Sequence, residues 1–320
     1  MDTPSDLPAA SPVALPGGLL LALAMTTVGS TVVASRIIVA ELPPFTAAAL
    51  RFAIALPIFL VLMRARGERP PRLDLHDGVL LVLQSLCGSV GYSVLMMAGM
   101  RSTSASTAGV ILGAMPAVAA LVGVLVLRER PGRRLVAAIT MACLGIGVAA
   151  TCSSAPSTGH DGSAVGNLLV LGAVACEAIF LLLNKRLRRS VSPMAQSTLM
   201  CALGLAMTVV PAGFERAWGG SVGPAAMGGV LYYALVPTVG GYLLWYAGTA
   251  RVNAGVAALY TAVMPVSALC LASLVLHERV GASQLAGVAC IVVAIALCRT
   301  PARGRQAVDH AVPTDRTPDE

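Results

Sequence analysis

Apolar runs of roughly 20 residues recur along almost the whole chain, separated by short breaks where arginine, proline and glycine collect. Ten can be drawn, at about 17–35, 43–63, 78–99, 104–127, 134–151, 164–184, 192–213, 224–248, 254–276 and 282–298. At 1.5 Å per residue, a helical run of this kind is of the length needed to cross about 30 Å of hydrocarbon. The pattern predicts an all-α polytopic membrane protein with ten transmembrane helices.

Composition agrees and removes alternatives. Of 320 residues, 57% are apolar and 12% are charged, and mean hydropathy is +0.81. A soluble domain carries about 25% charged residues, so this chain lacks the means to cover a water-facing surface. With 32 glycines and only 4% aromatic residues, close-packed helices are favoured over a barrel of alternating strands. The net charge of +7 does not point to nucleic acid, because the arginines form short clusters between apolar runs rather than one solvated basic face. The eight cysteines show no CxxC or His/Cys ligand spacing and read as small packing residues. The stretch Met1–Pro16 has no Lys or Arg and carries Asp2 and Asp6, unlike a cleaved signal peptide, so the first span is expected to remain in the membrane.

Basic residues orient the spans. With the N-terminus inside, 17 of the 22 Lys and Arg residues fall in cytoplasmic connections or the C-terminal tail, including Arg64–Arg72, Arg128–Arg134 and Lys185–Arg189; four lie opposite and Arg51 lies inside a span. This bias places both termini in the cytoplasm. The expected organisation is an N-terminal cytoplasmic tail (1–16), a first five-span unit (17–152), a Ser/Gly-rich periplasmic or extracellular linker (153–163), a second five-span unit (164–299), and a disordered cytoplasmic tail (300–320).

The two units are copies. Shifting the chain by 149 residues aligns Ala98-Gly99 with Ala247-Gly248, Met115-Pro116 with Met264-Pro265, and Leu125-Val126-Leu127-x-Glu129-Arg130-x-Gly132 with Leu274-Val275-Leu276-x-Glu278-Arg279-x-Gly281, giving 13 identities in 37 positions. Five spans is an odd number, so the second copy must enter the membrane inverted. The charges agree: the loop after Leu127 is rich in arginine, whereas its equivalent after Leu276 has only Arg279. Two inverted five-helix repeats are an architecture of secondary transporters, whose site lies between the halves near the midplane.

The doubled Leu-Val-Leu-x-Glu-Arg-x-Gly, with each Glu 13 residues after a mid-helix proline, resembles the EamA branch of the drug/metabolite transporter superfamily over about 17–298. The resemblance implies a ten-helix inner-membrane carrier exporting amino acids or other small metabolites. One departure concerns the Trp-Gly or Trp-Ala that the family often places eight residues before the basic residue ending the first span of each repeat. Here those positions are Val28-Gly29 and Glu177-Ala178.

Candidate cargo-site residues follow from interruptions and from polarity inside spans. Pro116 and Pro265 are expected to kink equivalent helices and free the carbonyls of Leu112 and Thr261; Tyr260 and Thr261 join the candidate site beside the second kink. Ser85, Ser89 and Tyr92 form one polar stripe, and Thr238, Tyr242 and Trp245 form its counterpart. The bland alternatives are packing kinks, interhelical hydrogen bonds and interface anchoring. Arg51 and Glu177 are the two ionisable side chains well inside spans, and each needs a partner or water. Arg51 reads as a structural charge, with a direct pair to Glu177 as one arrangement. Glu177 reads as a coupling residue, since a carboxyl in that setting can hold a proton or a cationic group. Residues 172–185 also resemble the first helix of the small multidrug resistance proteins, whose membrane glutamate binds protons and cations in turn.

Glu129 and Glu278 lie at helix ends and read as caps. Ala282, Ala286, Ala289, Cys290, Ala294 and Cys298 form a small-residue face for helix packing or a homodimer; monomer and dimer both stay open. No catalytic triad, nucleotide motif or metal site is legible, so neither enzyme nor cofactor is expected. The leading expectation is a secondary exporter of small metabolites such as amino acids in the cell membrane, working by alternating access, with a small-molecule substrate and the lipid bilayer as partners and protons as a further candidate. A proton-coupled exporter of cationic drug-like compounds is the alternative; an enzyme on lipid-linked phosphates or a non-transporting scaffold is less favoured.

Overall fold

The computed structural model describes residues 16–69, 71, 73–127, 133–151, 163–184, 186–188, 191–215, 222–252 and 260–298. Among these residues there is no strand. The helices are α1 (Gly17–Ile38), α2 (Pro44–Ala65), α3 (Leu75–Gly99), α4 (Ala105–Gly113), α5 (Met115–Leu127), α6 (Arg133–Thr151), α7 (Ala164–Asn184), α8 (Pro193–Phe214), α9 (Pro224–Thr249), α10 (Val263–Val275) and α11 (Ala282–Cys298). Six of them, α1, α2, α3, α7, α8 and α9, are long and apolar enough to cross a membrane. A seventh span arises if α4 and the start of α5 count as one element bent by 46°, and shorter apolar stretches lie in α6, α10 and α11. The chain is therefore an all-helical, multi-pass membrane protein.

Local chemistry sets the starts. Pro44, Pro193 and Pro224 open α2, α8 and α9 at the first turn, where a missing N–H costs nothing. Asp74, Ser104 and Ser192 cap α3, α4 and α8 by accepting the N–H of Asp77, Thr107 and Ala195. The expected kink at Pro116 is a break: the ring removes a helical hydrogen bond, α4 ends at Gly113, and Ala114 closes the turn by donating to Ile111 O at 3.0 Å. In the second copy the break falls at Thr261–Ala262, and Pro265 sits in the first turn of α10.

The repeat is written in the element boundaries. Adding 149 to the bounds of α2 gives those of α8, and adding it to the first residues of α3 and α6 gives those of α9 and α11. Packing follows the same exchange. Helices α2 and α8 pair with each other, as do α6 and α11, while α1 packs on α9 and α10, just as α7 packs on α3, α4 and α5. At the α6–α11 crossing, a Cβ on Gly145 would lie 2.8 Å from the carbonyl of Gly287, and one on Gly287 would lie 2.9 Å from that of Gly145, so the backbones touch. On α11 the small-residue face divides: Ala294 is buried, and Ala282, Ala286 and Ala289 are exposed.

At one end of the bundle, where α1, α3, α8 and α10 finish and α2, α4, α7 and α9 begin, three glutamates reach across the halves. Glu215 accepts from the N–H groups of Phe45 and Thr46 (3.2 and 2.7 Å), Glu278 from those of Ala105 and Ser106 (2.9 Å each), and Glu41 from Gly223. Each neutralises the positive end of a helix in the other half. Glu278 thus caps, although the helix it caps is distant in sequence; Glu129 lies outside the described residues. Arg36 donates to the carbonyl of Met100, and Asn167 Oδ1 accepts from the Thr103 hydroxyl, binding the same end further.

Candidate functional site

Between the halves lies a cavity of about 300 Å³, walled by α1, α2 and α3 on one side and α7, α8 and α9 on the other, with the α4–α5 and α10 breaks contributing to it. Its lining obeys the repeat. Val28 faces it with Glu177, Arg51 with Met200, Ser89 with Thr238, Leu112 with Thr261, and Met115 with Met264. Eleven such pairs exist; the five remaining lining residues, Leu181, Asn184, Tyr233, Trp245 and Tyr246, all belong to the second copy. Position is symmetric, and chemistry is not.

The centres of α3 and α9 explain how these helices present polar groups. Ser85–Gly91 and Ala234–Gly240 are both wound as π-helix, 149 residues apart. The wider turn fits one additional residue and is common at functional sites. In α9, Pro237 has no N–H to give and the Thr238 hydroxyl bonds the Tyr233 carbonyl at 2.8 Å, five residues back. In α3, Gly88 admits the Phe180 ring, which a Cβ there would meet at 2.6 Å. Widening also breaks the stripe expected from even helical spacing: Ser89, Tyr92 and Ser93 line the cavity, whereas Ser85 is buried away from it, with its hydroxyl 3.4 Å from Met200 O.

Thr238, Tyr242 and Trp245 all line the cavity, joined by Tyr246, whose ring stacks on Tyr242 at 6.1 Å. Tyr92 Oη stands 3.5 Å from Thr31 Oγ1 across the α1–α3 contact. Thr261 is in the lining, but Tyr260 is not; its hydroxyl packs over Gly18. Pro116 and Pro265 are also absent from the lining, although Met115 and Met264 beside them and Leu112 and Thr261 four residues before them are in it. The prolines therefore bring their neighbours to the cavity.

Arg51 and Glu177 share the cavity, yet no ion pair joins them. Arg51 is 6% exposed and its guanidinium lies over the rings of Phe52 and Tyr233, 4.3 and 4.7 Å from their centroids. Sequence reading missed Tyr233 and Tyr246 because their equivalents, Gln84 and Met97, lie off the cavity; no repeat signal marks them.

A helical membrane protein with two copies of one unit around a central cavity belongs to the class of membrane transporters. The model of the EamA-like transporter family matches residues 15–151 and again 164–300, and the chain belongs to that family. It is 31% identical over 274 residues to the "Uncharacterized transporter YetK" of Bacillus subtilis (strain 168), covering 85% of this chain and 83% of the relative. To "Protein PagO" of Salmonella typhimurium it is 26% identical over 257 residues, 79% and 83% of the two chains. A protein solved by crystallography shares the fold with a TM-score of 0.61 at 18% identity, over 88% of this chain and 96% of that one.

Proposed function

We propose that this transporter is a secondary exporter of small amphipathic metabolites such as amino acids, working by alternating access in the cell membrane. Its ten spans form two inverted five-helix repeats with both termini cytoplasmic. The observation that carries the reading is the cavity whose walls are exchanged by the repeat: a site shared by two like halves can open to either side as one half rocks against the other. One end is tied across the halves: Glu215 and Glu278 of the second half hold helix starts of the first, and Glu41 of the first half holds one of the second, while the lining runs along α7 to Asn184 and along α9 to Tyr246, toward the opposite end.

Export of cationic drug-like compounds against protons is the second reading. It is favoured by one feature, a glutamate set in the same wall as Tyr242 and Trp245, since a carboxylate and aromatic faces together suit an organic cation. Proteoliposomes separate the two. The purified protein should move at least one of a panel of amino acids down an imposed gradient; movement of organic cations alone, dependent on a pH gradient, selects the second reading, and no flux of any member overturns both.

A further inference from the structure

Two arginines near helix ends of the first half show what a structural arginine does in this protein. Arg36 spends its guanidinium on the Met100 carbonyl, and Arg101 donates to that of Leu42. Arg51 differs. It is buried in the middle of the bundle, forms no hydrogen bond or ion pair among the described residues, and its Nε has no partner at all. Beside it the Tyr233 hydroxyl, on a side chain 2% exposed, is also without a partner. Both residues line the cavity. The guanidinium carbon lies over the rings of Phe52 and Tyr233, contacts with ring faces that leave its N–H donors available to an acceptor.

A buried cation without a partner is costly, and an unpaired hydroxyl beside it adds to the cost. One anionic group placed against both would satisfy them together. We infer that Arg51, with the Tyr233 hydroxyl, forms the binding site for a carboxylate of the cargo. This rests on the cavity being the cargo site. A planar carboxylate matches the guanidinium fork with two parallel hydrogen bonds. A phosphate dianion brings a second charge that Arg51 does not balance, so a monoanion is the better fit. The rest of the site is mixed, since Met25, Met115, Met200 and Met264 line it together with polar groups such as Ser89 and Thr238, and methionine adapts to differing partners. The head group is thus recognised strictly and the body loosely.

The test uses the full chain in lipid nanodiscs and thermal unfolding as the readout. Probes are matched carboxylates and amides: hexanoate with hexanamide, leucine with leucinamide, and phenylpropionate with its amide, with sodium chloride and inorganic phosphate as controls. At least one carboxylate should raise Tm at millimolar concentration where its amide does not. Arg51→Gln should abolish that shift. Arg51→Lys, which keeps the charge and loses the fork, should weaken binding at least tenfold, and Tyr233→Phe several-fold. If Arg51→Gln fails to fold, the Lys and Phe variants decide. No carboxylate effect, an equal effect from chloride or phosphate, or unchanged affinity in the variants overturns the inference. Flux of organic cations by a protein that binds no carboxylate would leave the transporter reading standing and remove this one; carboxylate binding without flux of any solute would do the reverse.

Discussion

At the scale of single residues, what matters is which polar groups inside the bundle are spent on structure and which are left over. Glu177 lines the cavity and makes no ion pair with Arg51, so its replacement should be tolerated by the fold. Glu177→Gln is expected to give near-normal folded yield and to lose most transport driven by a pH gradient, while exchange of cargo without a gradient persists. Proteoliposome flux with and without the gradient measures this; undiminished gradient-driven transport would remove its coupling role. Sequence alone singled out Arg51 and Glu177, because ionisable groups inside apolar runs stand out. It gave no sign that Ser85 leaves the stripe of Ser89 and Tyr92, since the π-turn that rotates it depends on packing between helices. Gly88, which lets Phe180 approach, would have needed the partner helix to be read.

Among the elements, breaks and caps are the parts that can move or hold. The breaks before Pro116 and Pro265 set Leu112 and Met115, and Thr261 and Met264, against the cavity. Alanine at either proline restores the missing N–H and favours a straighter helix. Pro116→Ala and Pro265→Ala should therefore lower transport several-fold per folded molecule while leaving Tm within a few degrees; equal transport per folded molecule would reduce the breaks to packing. The glutamate caps act oppositely. Glu278→Ala deletes two charge-assisted hydrogen bonds to α4, about 1.5–3 kcal/mol each at most, and should lower Tm and raise thiol access from the glutamate-tied end in cysteine-probe variants. Unchanged Tm and access would mean that the end is held by other contacts. Both prolines and the Glu-Arg loop were legible because they recur at one spacing. The partner of Glu278 was not, since α4 begins 173 residues earlier.

For the whole molecule, two independent asymmetries coincide. Basic residues crowd the connections Arg64–Arg72 and Lys185–Arg189, and the same end of the bundle is the one toward which the cavity lining runs along α7 and α9. The glutamate-tied end carries Arg36, Arg101 and Arg279. If Lys and Arg bias orients the chain as it does in other multi-pass proteins, the arginine-rich end is cytoplasmic, and the cavity lining extends toward that side along α7 and α9. Inversion of the halves then requires residues 153–163 to lie outside and both termini inside. A phosphatase and fluorescent-protein pair fused after residue 320, and separately inserted within 153–163, tests this in cells. The expected result is fluorescence without phosphatase activity from the C-terminal fusion, and the reverse from the linker. Fluorescence from both sites would leave an even number of spans in the second half, between the two fusion points, and would overturn the inverted repeat.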